Sequence, residues 1–218
     1  LNLEKGLLTK LKINRLPNKH LIDRYFEGLS DLSIKNDDEG LVFFLLHSNH
    51  KTAYPKLNEL PQKFISLVIG AAHETKSPPI SLLNKIIEKN DFPMVILGSK
   101  AEENKGKKLT LNHPKKKLYN LCGKTSILES AAVIGQSSLV ITPDTGLMHI
   151  AAALNKKIIS VWGNTVPEFG MYPYYGNSVI ENKVAQVKGL SCRPCSKIGY
   201  KTCPKKHFNC MEQQDVEQ

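Results

Sequence analysis

Residues that could bind a phosphate lie at a turn between an apolar run and a helical segment. The run SLVIT at 138–142 is followed by PDTG at 143–146, and a helical pattern begins at once. Gly146 lets a ligand approach the backbone closely, and the free N–H groups at a helix start, with the helix dipole, favour an anion. The sequence therefore predicts a phosphate site that includes Thr145 and Gly146.

Two other side chains accompany this turn. Asp144 would repel a diphosphate, so we expect it to cap the helix or to accept a hydrogen bond from a sugar hydroxyl. His149 lies one helical turn further and could donate to phosphate or sugar. The alternatives are a plain helix cap for Asp144 and a packed core residue for His149.

Charged residues also follow two earlier apolar runs. Lys76 comes just after the run at 64–72, where it could neutralise a diphosphate and stabilise a leaving nucleoside diphosphate. A surface loop lysine is the alternative. Glu102 and Glu103 follow the run at 93–98, where an acidic residue often accepts from ribose hydroxyls. The pattern does not separate these two glutamates.

Strand-sized apolar runs alternate with helical segments from about residue 64 onward. The runs lie at 64–72, 93–98, 118–123, 138–142 and 157–163. Nearly continuous apolar strands separated by helices indicate a parallel sheet that is covered on both faces. We therefore predict an α/β fold with a doubly wound, Rossmann-like sheet. In such sheets ligands bind at the carboxyl ends of the strands, which is where all of these candidate residues fall.

The first 58 residues do not share this rhythm. They suggest one amphipathic helix at 20–34 and a lone strand at 41–46. We predict three parts: a preceding segment and linker at 1–58, the Rossmann-like domain at 59–191 and a cysteine-containing tail at 192–218.

The chain is basic, with a formal net charge of +10 and a pI of about 9.3. Such a balance favours anionic partners, namely nucleic acid, phosphorylated ligands or an anionic membrane face. Lys105, Lys107, Lys108, Lys115, Lys116 and Lys117 crowd one stretch, which is typical of a solvated loop. The sequence shows neither a signal-peptide pattern nor an apolar run of about 18 residues. We expect a cytoplasmic protein, and the lack of a first Met is compatible with a fragment.

Four cysteines occur in the tail as Cys192-x2-Cys195-x7-Cys203-x6-Cys210. Four thiols at such spacing could hold a structural zinc ion. Only one pair has CxxC spacing, so reduced packing cysteines and disulfides stay open as alternatives, and we expect no other metal and no cofactor.

The run at 143–176 resembles the signature of glycosyltransferase family 9, the ADP-heptose:lipopolysaccharide heptosyltransferases. GAAHETKSPP resembles the donor-phosphate loop of that family, LYNLCGKTSILESAAVI resembles its nucleotide-lining segment, and the cysteine tail resembles the C-terminus of many members. The likeness covers roughly residues 60–212. The Pro-Pro of the donor loop departs from the pattern.

This resemblance implies a GT-B architecture, in which the C-terminal domain holds the nucleotide sugar and residues 1–58 end the acceptor domain. It also implies which residues contact the donor. Lys76, Thr145 and Gly146 would contact the diphosphate, Asp144 and His149 the sugar, and Glu102 the ribose. The base of the family is an Asp near the start of the acceptor domain. Asp23 does not match that motif, so the catalytic residue stays unassigned and we expect this chain mainly to bind donor.

The implied reaction is an inverting, metal-independent transfer of heptose from ADP-heptose to the inner core of lipopolysaccharide, on lipid A–Kdo or a partial core. The acceptor lies at the inner membrane surface, which suits a basic protein in peripheral contact with it. One alternative is a related GT-B transferase or epimerase that uses another nucleotide sugar. Another is a zinc-stapled basic module that binds nucleic acid. Because only 7% of residues are aromatic, we expect no nucleic-acid partner.

Overall fold

A computed structural model describes residues 2–45 and 54–217, and a six-stranded parallel sheet is its central layer. The strands are β1 (Ile65–Val68), β2 (Met94–Leu97), β3 (Leu118–Asn120), β4 (Leu139–Pro143), β5 (Ile158–Trp162) and β6 (Asn182–Gln186). Their order is β3-β2-β1-β4-β5-β6, with the reversal between β1 and β4. This confirms the predicted α/β fold and the five predicted strands.

The sheet also contains a strand that the sequence did not predict. β6 pairs with β5 at the edge of the sheet, where Asn182, Lys183 and Val184 are exposed. An edge strand needs a partner on one side only and can be polar, so it lacks the apolar run that marks β1 and β2.

Helices cover both faces of the sheet. Within the described ranges they are α1 (Asn2–Leu11), α2 (Leu21–Glu27), α3 (Ile80–Glu88), α4 (Glu103–Asn112), α5 (Ile127–Gln136), α6 (Gly146–Ala153) and α7 (Asn209–Glu212). Residues of α5 and α6 pack with Val68 and Trp162 on one face. Residues of α3, α4 and α7 pack with Leu67 and Ile96 on the other, because successive strand residues point to opposite faces.

One predicted helix boundary was wrong. The helix expected at 20–34 ends at Glu27, and Ser30–Leu32 forms a separate 3-10 turn. Its apolar pattern continues past the end, but Leu29 and Leu32 are exposed and have no core to pack against. Packing, more than pattern, decides how far a short helix extends.

The prediction of a strand at 41–46 was also wrong for the five residues that the structure describes. Residues 41–45 form no regular element, and residue 46 lies outside the described residues. Val42 and Phe44 are exposed, and apolar residues form a strand only where a neighbouring strand completes the hydrogen bonds.

The lysine-rich stretch is only partly a loop: Lys105, Lys107 and Lys108 lie in a helix, whereas residues 115–117 lie in the turn before β3. Residues 103–112 form α4, with Gly106 and Leu109 buried against the sheet layer. The tail also packs into the molecule, because Cys210 and Met211 are buried in the same core cluster as α3. No helix in the described part of the chain has the length and apolar character needed to span a bilayer. The division at residues 58 and 191 stays a prediction.

Candidate functional site

A cleft of about 380 Å³ lies at the carboxyl ends of β1, β2 and β4. Its lining comprises small and polar residues that follow these strands or begin the next helices: Gly70, Ala71, Ala72, Gly98, Ser99, Glu102, Thr125, Ser126 and Thr145. The sheet order reverses at this point, between β1 and β4. Open parallel sheets bind ligands at such a reversal.

A second groove, of about 440 Å³, lies on the other side of the molecule between α3 and the β6 edge. Its lining is mostly aliphatic, including Leu82, Ile86 and Val184. Its lining also includes Lys89, Lys183 and Asp215 but not the first residues of a helix, so the cleft is the better candidate for a phosphorylated ligand.

Glu102 lies in the cleft and Glu103 does not. One carboxylate oxygen of Glu102 accepts hydrogen bonds from Ser99 N at 2.8 Å and from Ser99 Oγ at 2.7 Å. A Cβ atom at Gly70 would stand 2.5 Å from Cδ of Glu102, so a larger residue there would displace this carboxylate. Glu103 instead pairs with Lys107 along the exposed side of α4. The structure thus separates two residues that the sequence could not.

Lys76 and Asp144 form a buried ion pair beside the cleft. Nζ of Lys76 is 2.6 Å from Oδ2 of Asp144, and both side chains are almost fully buried. Thr165, after β5, donates from Oγ1 to the same carboxylate oxygen at 2.9 Å. Asp144 is not the helix cap, because the N-cap residue of α6 is Thr145.

His149 belongs to the same charged cluster. Burial lowers its pKa from the ordinary value of 6.5, Asp144 raises the pKa in part, and Lys76 lowers it further. Its imidazole is therefore neutral at pH 7, where it can donate or accept a hydrogen bond.

The start of α6 joins the cleft to this cluster. Thr145 lines the cleft, and no side chain in the described residues caps the first amides of α6. A Cβ atom at Gly146 would meet nothing within 4 Å, so this position faces open space. These amides are available to an anion from the cleft. The phosphate contact of Thr145 and Gly146 stays a prediction.

Lys105 is a residue whose role the sequence did not reveal. Its Nζ donates to Ile69 O at 3.0 Å, to Ser77 Oγ at 2.8 Å and to Pro78 O at 2.5 Å. It therefore fixes the loop after β1, which carries Lys76, and the interpretation as a solvated lysine was wrong for this residue. No local spacing in the sequence marks this role, because the acceptors lie 27 to 36 residues before Lys105.

The four tail cysteines, Cys192, Cys195, Cys203 and Cys210, line one small cavity. All are free thiols, and Nε2 of His207 is 3.9 Å from Sγ of Cys192. Within residues 2–45 and 54–217, no group of three or more His, Cys, Asp or Glu side chains has metal-ligand spacing. A structural zinc ion at these cysteines stays a prediction.

Comparison with known proteins places this geometry in a family. The sequence profile of glycosyltransferase family 9 (heptosyltransferase) matches residues 5–206. Lipooligosaccharide heptosyltransferase 2 of Haemophilus influenzae is 35% identical over 81 residues, which are 36% of this chain and 23% of that protein. The Campylobacter jejuni enzyme of the same name is 36% identical over 96 residues, 44% of this chain and 28% of that protein.

Two solved structures share the fold. A family 9 glycosyl transferase of Veillonella parvula superposes with a TM-score of 0.63 at 20% identity, over 78% of this chain and 51% of that one. The ADP-heptose lps heptosyltransferase II of E. coli superposes with a TM-score of 0.58 at 18% identity, over 76% of this chain and 51% of that one. The chain thus spans about half the length of these structures, and the alignments cover about a quarter of the curated relatives. With the profile matched over most of its length, the chain belongs to glycosyltransferase family 9, the heptosyltransferase family.

Proposed function

We propose that this chain is the donor-binding part of an enzyme that moves a heptose from ADP-heptose to the lipopolysaccharide inner core. The observation that carries the proposal is the cleft itself, in which Glu102 lies on one side and the start of α6 on the other. Glu102 could accept hydrogen bonds from a ribose, and the start of α6 with the adjacent Lys76–Asp144 pair could bind the phosphates of the same ligand.

In this proposal the diphosphate of the donor rests on the first amides of α6. An ammonium group has three N–H donors, so the ion pair of Lys76 with Asp144 leaves others for a phosphate oxygen. Both features stabilise negative charge that grows on the leaving diphosphate. The neutral His149 next to Asp144 would bind a sugar hydroxyl.

The transfer step then balances as a displacement. An acceptor hydroxyl oxygen bonds to the anomeric carbon, the bond from that carbon to the β-phosphate oxygen breaks, and ADP leaves with the electron pair. Attack opposite the leaving group inverts the anomeric centre. The hydroxyl proton goes to a base, which we assign to no residue of this chain. Because helix amides and Lys76 carry the leaving-group charge, this proposal needs no metal ion.

The proposed acceptor is lipid A–Kdo or a partial core at the cytoplasmic face of the inner membrane. The relatives named as lipooligosaccharide heptosyltransferases support this choice of acceptor class. A net charge of +10 favours contact with such an anionic surface.

Isothermal titration of the chain with ADP, ADP-heptose and UDP-GlcNAc tests the proposal. We expect ADP and ADP-heptose to bind, and Lys76→Ala to weaken both. Lys116→Ala is the matched control, since Lys116 is an ion-paired lysine far from the cleft, bound to Asp91 at 2.7 Å. Preference for the uridine nucleotide would discard heptosyl transfer in favour of another GT-B sugar transferase or epimerase. Equal loss of ADP affinity in both variants would remove Lys76 from the site.

A further inference from the structure

The cysteine tail holds the loop that follows β5 through four consecutive carbonyl groups. The carbonyl oxygens of residues 162–165 all accept hydrogen bonds from tail residues. The donors are, in order, Nε2 of Gln214 at 3.1 Å, Nε of Arg193, the backbone N of Cys195 at 3.3 Å and Nη2 of Arg193 at 2.9 Å.

Arg193 makes the central contacts of this set. Its guanidinium binds the carbonyls on both sides of Asn164, and its Nη1 also donates to Val187 O at 2.9 Å. A guanidinium offers five N–H donors in a rigid fork, so one side chain fixes three backbone positions at once. A lysine at this position could not span the same acceptors.

The tail holds the donor-phosphate loop as well. Thr75 N donates to Tyr200 O at 3.2 Å, and Tyr200 N donates to Thr75 Oγ1 at 2.8 Å. The two loops also join each other, because Asn164 N donates to Thr75 O at 3.4 Å. Thr75 immediately precedes Lys76, so the tail fixes the backbone next to Lys76 and the loop that carries Thr165, the hydroxyl partner of Asp144.

Both loops end on the same carboxylate. The β5 loop supplies Thr165 Oγ1 and the donor loop supplies Lys76 Nζ, and the two groups meet at Oδ2 of Asp144. We propose that Arg193 is a positioning residue of the donor site, which sets the place of Lys76 and Asp144 for the diphosphate without touching it. This inference rests on the proposed function for its ligand.

Amide hydrogen exchange on Arg193→Met tests the positioning without any ligand. We expect faster exchange at the amides of residues 75–77 and 164–165 than in the wild-type chain, with α5 unchanged. The matched control is Lys116→Met, because Nζ of Lys116 also binds three oxygens, those of Glu88, Asn90 and Asp91, at 3.0, 3.0 and 2.7 Å. If exchange in these two loops is the same in Arg193→Met as in wild type, the proposal is wrong.

Titration with ADP and with adenosine supplies the second readout. Arg193→Met should weaken ADP binding by about tenfold and leave adenosine binding unchanged, because only the diphosphate reaches Lys76. A merely destabilised protein would lower the fraction of binding-competent molecules for both ligands alike, and that result would overturn the inference. Arg193→Lys should recover part of the ADP affinity. It also replaces Arg193→Met in both experiments if that variant does not fold.

The two proposals fail in different ways. Absence of ADP binding to the wild-type chain would reject the donor function, while the exchange experiment would still decide whether Arg193 fixes the loops.

Discussion

At the scale of single residues, the ion pair of Lys76 and Asp144 sets the electrostatics of the site. Burying one charge alone is costly, and removing one partner of a buried pair typically destabilises a protein by about 3–5 kcal/mol. Here the pair is completed by the hydroxyl of Thr165, so the remaining lone pairs of the carboxylate are partly satisfied. The pair and this hydroxyl thus form one buried polar cluster beside the proposed diphosphate site.

His149 should make the stability of the protein depend on pH in a defined direction. Burial puts its pKa in the folded state below the ordinary 6.5, so the unfolded chain takes up a proton first as pH falls. Stability is therefore present above pH 6.5 and declines as pH falls through that value. We expect the free energy of unfolding in urea to drop less between pH 7.5 and 5 in His149→Gln than in wild type.

The free energy of unfolding of His149→Gln should still decrease as pH falls, because burial also lowers the pKa of His20. In the double variant His20→Gln/His149→Gln, the free energy of unfolding should depend on pH even less. Equal slopes in wild type and His149→Gln would mean that the imidazole is solvated in the folded state.

The sequence was sufficient to place residues after strands, but not to pair them. Lys76, Glu102 and Thr145 each follow an apolar run, and the carboxyl ends of parallel strands share one edge. The bond between Asp144 and Thr165 spans 21 residues, and that between Arg193 and Gly163 spans 30. Such pairs depend on where two loops lie in space, and no local spacing encodes that.

At the scale of elements, two helical glycines distinguish close packing from loose packing. Gly106 in α4 lies against the residue that ends β3, and a Cβ there would stand 2.5 Å from Oδ1 of Asn120. A Cβ atom at Gly135 in α5 would lie at ordinary van der Waals distances, 3.5 Å from Leu45 Cδ1 and 3.9 Å from Leu154 Cδ1. Both positions are helical, so alanine would improve helix propensity at each.

We therefore expect Gly106→Ala and Gly135→Ala to change stability in opposite directions. Overpacking against Asn120 should cost Gly106→Ala about 1–3 kcal/mol, more than the propensity gain. Gly135→Ala should gain up to about 1 kcal/mol. Urea unfolding of both variants measures this, and stabilisation by Gly106→Ala would show that α4 can move away from β3.

Elements with a buried face were predictable, and elements without one were not. In α5, which has a buried face, the Ser126 side chain caps the helix in a capping box with Glu129. A strand also depends on a neighbouring strand, which the sequence pattern does not show. β6 is polar but pairs with β5, whereas the apolar residues 41–45 pair with no strand in the described part of the chain.

At the scale of the whole molecule, the tail packs into the core on one face of the sheet. Met211 is fully buried and packs so closely on Gly163 that a Cβ there would lie 2.7 Å from Cε of Met211. Cys210 lies in the same core cluster as the strands. Because this part of the tail is buried against the sheet, we expect the tail and the sheet to unfold in a single transition.

Two buried thiols, one near the middle of the chain and one in the tail, can report this cooperativity. Cys122 follows β3 and Cys210 lies in the tail, and burial raises the pKa of each thiol to about 12. Both should resist alkylation in the folded protein, because thiolate, not thiol, is the nucleophile. With increasing urea, both should become labelled over the same concentration range, as measured by mass spectrometry of the two peptides.

Met211→Ala provides the critical comparison. Losing this buried side chain should cost about 2–5 kcal/mol and shift the labelling midpoints of Cys122 and Cys210 together to lower urea. Cys122 lies just after β3, so a shift of its midpoint reports unfolding of the sheet. If Cys210 alone shifts while Cys122 keeps its wild-type midpoint, the tail opens separately. The donor site would then be held by a segment that can detach, and ADP binding would have to compete with that opening.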